Sequence, residues 1–202
     1  MPVAIDGTVG SLGNGTSNVT IGASTNVRIG VAGTANVLTI STNSLIPTGN
    51  GTVSLGATGS RFANIWGLAS SAQYADLAEK FLADKDYEVG TVLMIGGLAE
   101  VTAAIQNSNS VIGTVSDKPG FIMNDGLEGD NVVAVSYIGR VPCKVEGEIK
   151  KGDLLVVSNN AGVACSTSIT SSDHAMLGKI IGKALEDSDG TRSIIEIVVG
   201  RL

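Results

Sequence analysis

The stretch LGATGSRFANIWGLASSAQYADLAEKFL, which runs from Leu55 to Leu82, divides the chain into two parts of different composition. The residues before it have almost no charge and no aromatic side chain, whereas charged and apolar residues alternate in the strand-like patterns after it. The stretch itself contains the single tryptophan, Trp66, and two of the three phenylalanines, Phe62 and Phe81. We interpret it as the junction between two kinds of structure.

Five apolar positions in the second half of this stretch have the spacing of one helical face. They are Tyr74, Leu77, Ala78, Phe81 and Leu82. Ser70 followed by Gln73 has the form of a capping box, and the charged residues from Asp84 onward end the apolar pattern. The spacing therefore predicts a short helix, which would form a helical collar over residues 70–86.

The overall composition argues against several classes of function. The 202 residues include 27 glycines and only 3% aromatics, so Val, Ile, Leu and Ala must supply the core. The formal net charge of -6 argues against nucleic-acid binding, which needs clustered cations, and only Lys150 and Lys151 are adjacent. No apolar run of about 18 residues and no leader sequence is found, so we expect neither membrane insertion nor secretion.

Neither a cofactor nor a metal is expected from the residue types. Cys143, Cys165 and a single histidine, His174, are too few for a zinc site, and isolated cysteines in a non-secreted chain are usually reduced. The acidic loop over residues 125–130 lacks the ligand spacing of an EF-hand, so we interpret it as solvated.

Residues 1–69 are rich in Gly, Thr and Asn and contain internal repeats. Each repeat is a short alternating strand closed by turn residues, and the four repeats are Asn18–Gly22, Asn26–Gly30, Asn36–Ile40 and Gly51–Gly56. Alternation places Val19 and Ile21 on one face of the first strand, and Val27 and Ile29 on one face of the second.

Strands this short do not stabilise a lone chain. Ordering the backbone costs roughly 1–2 kcal/mol per residue, and burying one Val or Ile returns only about 1.5–3 kcal/mol. The balance becomes favourable when identical chains wrap around an axis and cover one another's apolar stripes. We therefore predict an intertwined β-strand shaft or attachment segment in a homotrimer, with a disordered linker as the alternative.

Residues 87–202 have the pattern of a compact β domain. About eight apolar strands alternate with Gly-rich turns at short intervals, and no long helical period interrupts them. This pattern predicts a small β-barrel or sandwich, so the fold class of the whole chain is mainly β.

The catalytic candidates are few. Ser172, Asp173 and His174 are adjacent and so point in different directions, which argues against a triad. Asp76 and Glu79 are three residues apart, which on the predicted helix places both carboxylates on one face. A solvated helix face also explains that pair, and we predict that the protein is not an enzyme.

Several motifs resemble those of one class of protein. LGATGSRFANIWG, at 55–67, resembles a repeated junction in tail-fibre and appendage proteins of tailed phages, particularly those of marine and cyanobacterial hosts. YADLAEK, from Tyr74, and VPCKVEGEIKKGDLLV, from Val141, resemble elements of the C-terminal β domain of those fibres. The resemblance covers roughly residues 50–202 and implies a structural protein of the virion.

The same YADLAEK segment is similar to the terminal domain of phage neck-appendage proteins. In that family the domain acts as a trimerisation chaperone and cuts itself off ahead of an Asp, using that Asp and a Glu three residues later. Asp76 and Glu79 match these two positions. Ala75 stands where that family has a Ser, and this departure argues against cleavage.

The sequence therefore predicts a non-enzymatic, homotrimeric tail-fibre or appendage component, which is assembled in the host cytoplasm and projects from or decorates the virion. The alternatives are a self-cleaving trimerisation chaperone, a tip that binds host-surface glycan through loops over residues 121–130, and a capsid decoration protein. Other virion proteins are expected partners. The predicted trimer contacts are Val19, Ile21, Val27, Ile29, Phe62, Trp66, Tyr74, Leu77 and Phe81.

Overall fold

The computed structural model of the chain describes residues 10–21, 26–66, 74–168, 176 and 178–200. The chain divides into two compact units, Met1–Leu68 and Ala69–Leu202. Both units are built from β-strands, which confirms the predicted mainly β fold class. In the described part of the chain, no helical segment has the length and apolar character needed to cross a bilayer.

The first unit contains a five-stranded antiparallel sheet whose strands lie in chain order. They are β1 (Gly10–Asn14), β2 (Ser17–Ile21), β3 (Val27–Val31), β4 (Thr34–Ile40) and β5 (Leu45–Pro47). Three predicted repeats coincide with β2, β3 and β4. The fourth, Gly51–Gly56, is not a strand, and β1 and β5 were not predicted. All five strands pair within the chain, so the sheet itself is a simple meander.

The register of this sheet gathers most of its apolar residues on one side. Directly opposite residues share a face, and so do residues two apart on a strand. Two cross-strand rows result: Val19, Ile29, Leu38 and Pro47 in one, and Ile21, Val27, Ile40 and Leu45 in the other. We call these eight side chains the apolar face. The opposite side carries a row of Thr20, Arg28, Thr39 and Ile46, of which the first three are polar.

Ten strands lie in the described residues of the second unit. They are β6 (Asp76–Leu82), β7 (Val92–Ile95), β8 (Val101–Ala103), β9 (Val111–Val115), β10 (Phe121–Met123), β11 (Val132–Ile149), β12 (Leu154–Val157), β13 (Ala164–Thr167), β14 (Ile180–Ala184) and β15 (Ser188–Val199). Strand β11 is the longest, with 18 residues, and it takes part in two closed rings.

The C-terminal half of β11 belongs to a closed five-stranded barrel. In this barrel β11 pairs with β15, β15 with β14, β14 with β12, and β12 with β13. Strand β13 returns to β11 through a parallel pair between Val145 and Ala164. The interior is packed with fully buried aliphatic side chains, among them Val145, Leu155 and Ile197. The predicted barrel is therefore present.

The N-terminal half of β11 belongs to a second ring. Its strands are β6, β11, β9, β7 and β8, and a bridge between Ala83 and Val101 closes the ring. Leu93, Val101 and Val135 are fully buried in its interior. The two rings thus share one strand and have separate apolar cores.

The predicted helix is wrong over the described part of the 70–86 collar, because Asp76–Leu82 form the strand β6. One edge of β6 pairs with β11 and the other pairs in parallel with β10. These partners lie far away in sequence, and their hydrogen bonds override a local helical spacing. Ser70 and Gln73, the predicted capping box, lie outside the described residues.

Candidate assembly and processing sites

The apolar face is the first candidate site, because no described residue of its own unit buries it. Its side chains are either half-buried or exposed. Among the residues described before Leu68, no hydrophobic side chain is buried. Four of the predicted trimer contacts, Val19, Ile21, Val27 and Ile29, come together here as two opposed pairs. The face can therefore bind a second apolar surface without any rearrangement of the sheet.

The aromatic residues of the junction are also exposed. Trp66 is 91% exposed, and Phe62 and Tyr74 are exposed as well. The sequence predicts that Trp66 and Phe62 seal a transition between two structures, and nothing in the described part of the chain covers them. Their role as trimer contacts stays a prediction.

Leu77 and Phe81 do not form the predicted stripe with Tyr74. On β6 they point to one face, together with Glu79, while Ala78 and Leu82 point to the other. Phe81 packs against the core of the second ring in its own chain. The helical-face argument for Phe81 as a trimer contact is therefore wrong. Leu77 is half-buried and lies between two exposed residues, Phe121 on β10 and Ile138 on β11, and its role as a trimer contact stays a prediction.

Asp76 and Thr114 are the two described residues that have a buried side-chain oxygen without a hydrogen-bond partner, and Asp76 is the charged one of the two. Its side chain is only 7% exposed at the start of β6. The backbone N–H of Gly120 donates a hydrogen bond of 3.0 Å to its Oδ1 atom. The Oδ2 atom is buried and has no hydrogen-bond partner among the described residues. A buried carboxylate oxygen without a partner is costly, which marks this position as a candidate processing site.

Two glycines hold the backbone before Asp76 in place. A Cβ atom on Gly120 would overlap the carbonyl oxygen of Tyr74, and one on Gly139 would overlap the carbonyl oxygen of Ala75. That oxygen of Ala75 accepts a hydrogen bond of 3.2 Å from the N–H of Arg140. The peptide between Ala75 and Asp76 is therefore tightly fixed. Sequence reasoning missed both glycines, since nothing local distinguishes them from the many turn glycines.

The side chain of Glu79 does not lie beside that of Asp76. The hydroxyl of Tyr137 donates a hydrogen bond of 3.2 Å to Glu79 Oε2. Burial, followed by this hydrogen bond and the charge of Glu79, raises the pKa of the Tyr137 hydroxyl. Residues three apart on a strand point to opposite faces, so the prediction that Asp76 and Glu79 share one face is wrong. Within one chain the two carboxylates do not form an acid–base pair.

The remaining candidates from the sequence are the two cysteines, the acidic loop and the segment from Ser172 to His174. Cys143 and Cys165 are free thiols, and burial raises the pKa of each. No group of three or more His, Cys, Asp or Glu side chains suited to a metal ion occurs in the described ranges. Ser172, Asp173 and His174 lie outside the described residues.

No protein-family model matches the chain, and no curated protein is similar to it. Among solved structures, the crystal structure of the pre-mature bacteriophage phi29 gene product 12 is similar, with a TM-score of 0.51 and 11% sequence identity. The similarity covers 67% of this chain and only 23% of that protein. At this identity it shows a shared fold alone. The sequence motifs led us to expect a fold that occurs in phage proteins, and a phage protein has a similar fold. This similarity does not distinguish tail fibres of cyanobacterial phages from other phage appendages.

Proposed function

We propose that the chain is a non-catalytic structural component of a phage particle and that it assembles as a homotrimer. The observation that carries this proposal is the apolar face, on which eight apolar side chains lie together and none is buried. The fold shared with a phage protein supports the assignment to a virion. The sequence motifs favour a location in a tail fibre or another appendage of the particle.

Burial of the apolar face supplies the stabilisation that the first unit lacks. Each Val, Leu or Ile that becomes fully covered contributes about 1.5–3 kcal/mol. Other copies of the chain present the same flat apolar surface, so three sheets placed around an axis cover one another. The row of Thr20, Arg28 and Thr39 then faces outward to solvent. This arrangement gives β2 and β3 one apolar and one polar environment, as their sequences require.

A matched pair of variants tests the trimer. Ile29→Asp places a carboxylate in the middle of the apolar face, while Thr39→Asp places the same charge on the opposite side, across from Arg28. We expect sedimentation velocity to show a trimer for Thr39→Asp and for the unchanged protein, and a monomer for Ile29→Asp. A trimer that persists in Ile29→Asp, or is lost equally in both variants, would contradict the proposal.

A second candidate function is self-processing between Ala75 and Asp76, and the partnerless Oδ2 atom of Asp76 favours it. Since Glu79 lies on the other face of β6, this reaction would need a Glu79 from another copy. Intact-mass spectrometry of the purified protein separates the two candidates. A single full-length mass supports the purely structural role. Fragments that meet at Ala75 and Asp76, and that disappear in Asp76→Asn, would support self-processing.

A further inference from the structure

The five-stranded sheet of the first unit has two open edges, because β1 and β5 each pair with only one neighbour among the described strands. Edge strands of stable proteins are usually protected by a charged side chain, a bulge or a proline. Neither β1 nor β5 contains a charged residue, and their ladders with β2 and β4 have no register shift. Pro47, the last residue of β5, removes a single donor from one edge. Both edges are therefore suited to pairing with a further strand.

The backbone of Leu45 points away from the sheet at the β5 edge. The N–H of Ser41 donates to the carbonyl of Ser44 at 2.9 Å. The N–H of Thr48 donates to the carbonyl of Val37 at 3.1 Å. Ser44 and Thr48 thus direct their backbone groups toward β4, and because this direction alternates from residue to residue, Leu45 points the other way. The N–H and carbonyl of Leu45 have no hydrogen-bond partner among the described residues.

On the opposite edge, the backbones of Ser11 and Gly13 also point away from the sheet. A two-residue turn joins Asn14 to Ser17, and these two residues face each other in the ladder. Residues that flank such a turn are hydrogen-bonded to each other, so the backbone of Asn14 points toward β2. Alternation then turns the groups of Gly13 and Ser11 outward, and no described residue makes a hydrogen bond to them.

The two open edges match each other in direction and in spacing. Four antiparallel pairings separate β1 from β5, so the two strands run in the same direction. Rotation about an axis along the strands preserves that direction, so β5 of one copy meets β1 of the next copy in parallel. In a parallel pair, one residue bonds through its N–H and its carbonyl to the two residues that flank its partner. Leu45 can thus donate to the carbonyl of Ser11 and accept from the N–H of Gly13.

The width of the sheet suits three copies. Neighbouring strands lie about 4.8 Å apart, so each copy occupies about 24 Å of a closed circuit. In a triangle of three such sheets the axis lies about 7 Å from each sheet, compared with about 5 Å from a sheet to the middle of a sandwich core. The apolar face turns inward in this arrangement, with Val27 and Ile29 of the central strand nearest the axis. Pairing of the edges and burial of the apolar face therefore occur in the same assembly.

We propose that β5 of each copy pairs in parallel with β1 of the next copy, so that three five-stranded sheets close into one continuous triangular barrel. This inference rests on the proposed homotrimer and adds to it the strands that join the copies, their direction and their register. In this register Gly13 lies opposite Ile46 of the neighbouring copy. The pairing satisfies the open backbone groups of both edges and leaves the barrel without an edge strand.

Hydrogen exchange at Leu45 distinguishes a paired edge from an open one. In full-length protein that sediments as a trimer, the amide of Leu45 should exchange within about tenfold of the rate of Ile46, whose N–H faces β4 across from Thr39. The amide of Gly51, in the turn after β5, is the exposed reference. If Leu45 exchanges as fast as Gly51 in a trimeric protein, the edge pairing is wrong while the homotrimer stands.

Cysteine cross-linking tests the register. In one chain Gly13 and Ile46 lie on strands that three others separate, about 19 Å apart, so a disulfide between these positions must join two copies. A Cβ on Gly13 would make only ordinary contacts, the nearest at 3.7 Å, so Gly13→Cys fits. The test protein combines Gly13→Cys with Ile46→Cys. The control combines Gly13→Cys with Thr39→Cys, one strand further from the junction. Both carry Cys165→Ser, which removes the half-buried native thiol.

After oxidation, the test protein should run as a covalent trimer on a non-reducing denaturing gel, and the control should run as single chains. Absence of the covalent trimer from a protein that sediments as a trimer would overturn the edge pairing alone. Equal cross-linking of the test and control proteins would overturn it as well. A protein that is monomeric before oxidation would overturn the homotrimer and the edge pairing together.

Discussion

The two units are built from the same kind of alternating strand, but they differ in whether their apolar side chains are buried. In the second unit, β11 is shared by two closed rings, and side chains such as Leu93, Leu155 and Ile197 are fully buried in their interiors. In the first unit, the strands form an open sheet whose apolar face is covered by none of the described residues of that unit. A sheet that closes on itself encloses a buried core, whereas an open single sheet buries its apolar face only against a second layer of structure.

The comparison shows what the alternation of apolar residues can and cannot specify. Period-two alternation defines an apolar side for β2, β3 and β4 as clearly as it does for strands of the barrel. It does not define whether that side is covered by the same chain or by another one. That depends on whether the strand pairing returns to its starting strand: it does so in the five-stranded barrel, whereas β1 and β5 do not pair in the five-stranded sheet of the first unit.

Replacement of a barrel core residue should have the largest effect on the stability of a single chain. Leu155→Ala removes a fully buried side chain from the first ring and should lower the free energy of unfolding by about 2–5 kcal/mol. Ile29→Ala, on the apolar face, should leave the unfolding of the second unit unchanged and should weaken the association of chains instead. Urea titrations followed by circular dichroism at two protein concentrations measure both effects. If Ile29→Ala lowered stability as much as Leu155→Ala at every concentration, the first unit would have a core of its own.

Replacement of Gly139, which lies beside the Ala75–Asp76 peptide, should have the next largest effect on stability. Gly139 has a φ angle of 110°, and a Cβ there would overlap the carbonyl oxygen of Ala75, so Gly139→Ala should cost about 2–4 kcal/mol. Gly147 lies on the same strand with a φ angle of 82°, but a Cβ there would meet no other atom within 4 Å. Gly147→Ala should therefore cost only the backbone strain, about 1–2 kcal/mol. Thermal unfolding of the two variants compares these costs, and an equal loss would mean that β6 does not pack against Gly139 as described.

The smallest expected effect is on the loss of folding stability at acidic pH, which depends in part on Asp84. The Tyr87 hydroxyl donates to Asp84 at 2.6 Å and holds the pKa of that carboxyl below its usual value, with a further contribution from Thr102. A lowered pKa stabilises the fold above the unfolded-state pKa, and this stabilisation disappears as pH falls through the folded-state value. Asp84→Asn should therefore flatten the loss of stability below about pH 4, by about 1 kcal/mol or less since the group is exposed.

Asp117→Asn, which changes an exposed carboxylate in the turn after β9, is the matched control and should leave the acid limb unaltered. The first unit contains very few charged residues, so acid should affect the second unit far more than the apolar face. Equal acid sensitivity of Asp84→Asn and the unchanged protein would show that the Tyr87 hydrogen bond contributes nothing.

Much of the β structure could be predicted from the sequence. Strands β9 and β12 coincide with the apolar runs Val111–Val115 and Leu154–Val157, which clear turn residues flank in the sequence. Gly139 separates two apolar runs in the sequence, as a turn residue does between two strands. In the structure this glycine remains in the ladder opposite Val199, and β11 continues through it as one strand. The short strands β10 and β13 have too few residues to show a period.

The candidate sites were harder to predict because they depend on pairings between distant parts of the chain. The sequence groups Val19 with Ile21 and Val27 with Ile29, and the sheet then joins the two pairs. An assumed helix groups Asp76 with Glu79, and the pairing of β6 with β10 and β11 separates them. Gly120, Gly139 and Tyr137 became visible only through their contacts with the β6 segment.

The most direct test of the account is the mass of the unchanged full-length protein, measured by light scattering over a range of concentrations. We predict a mass three times that of one chain, because the apolar face of each first unit is buried against two other copies. A protein that remains monomeric at every concentration would contradict the account, since eight apolar side chains on one face would then stay in water without a partner.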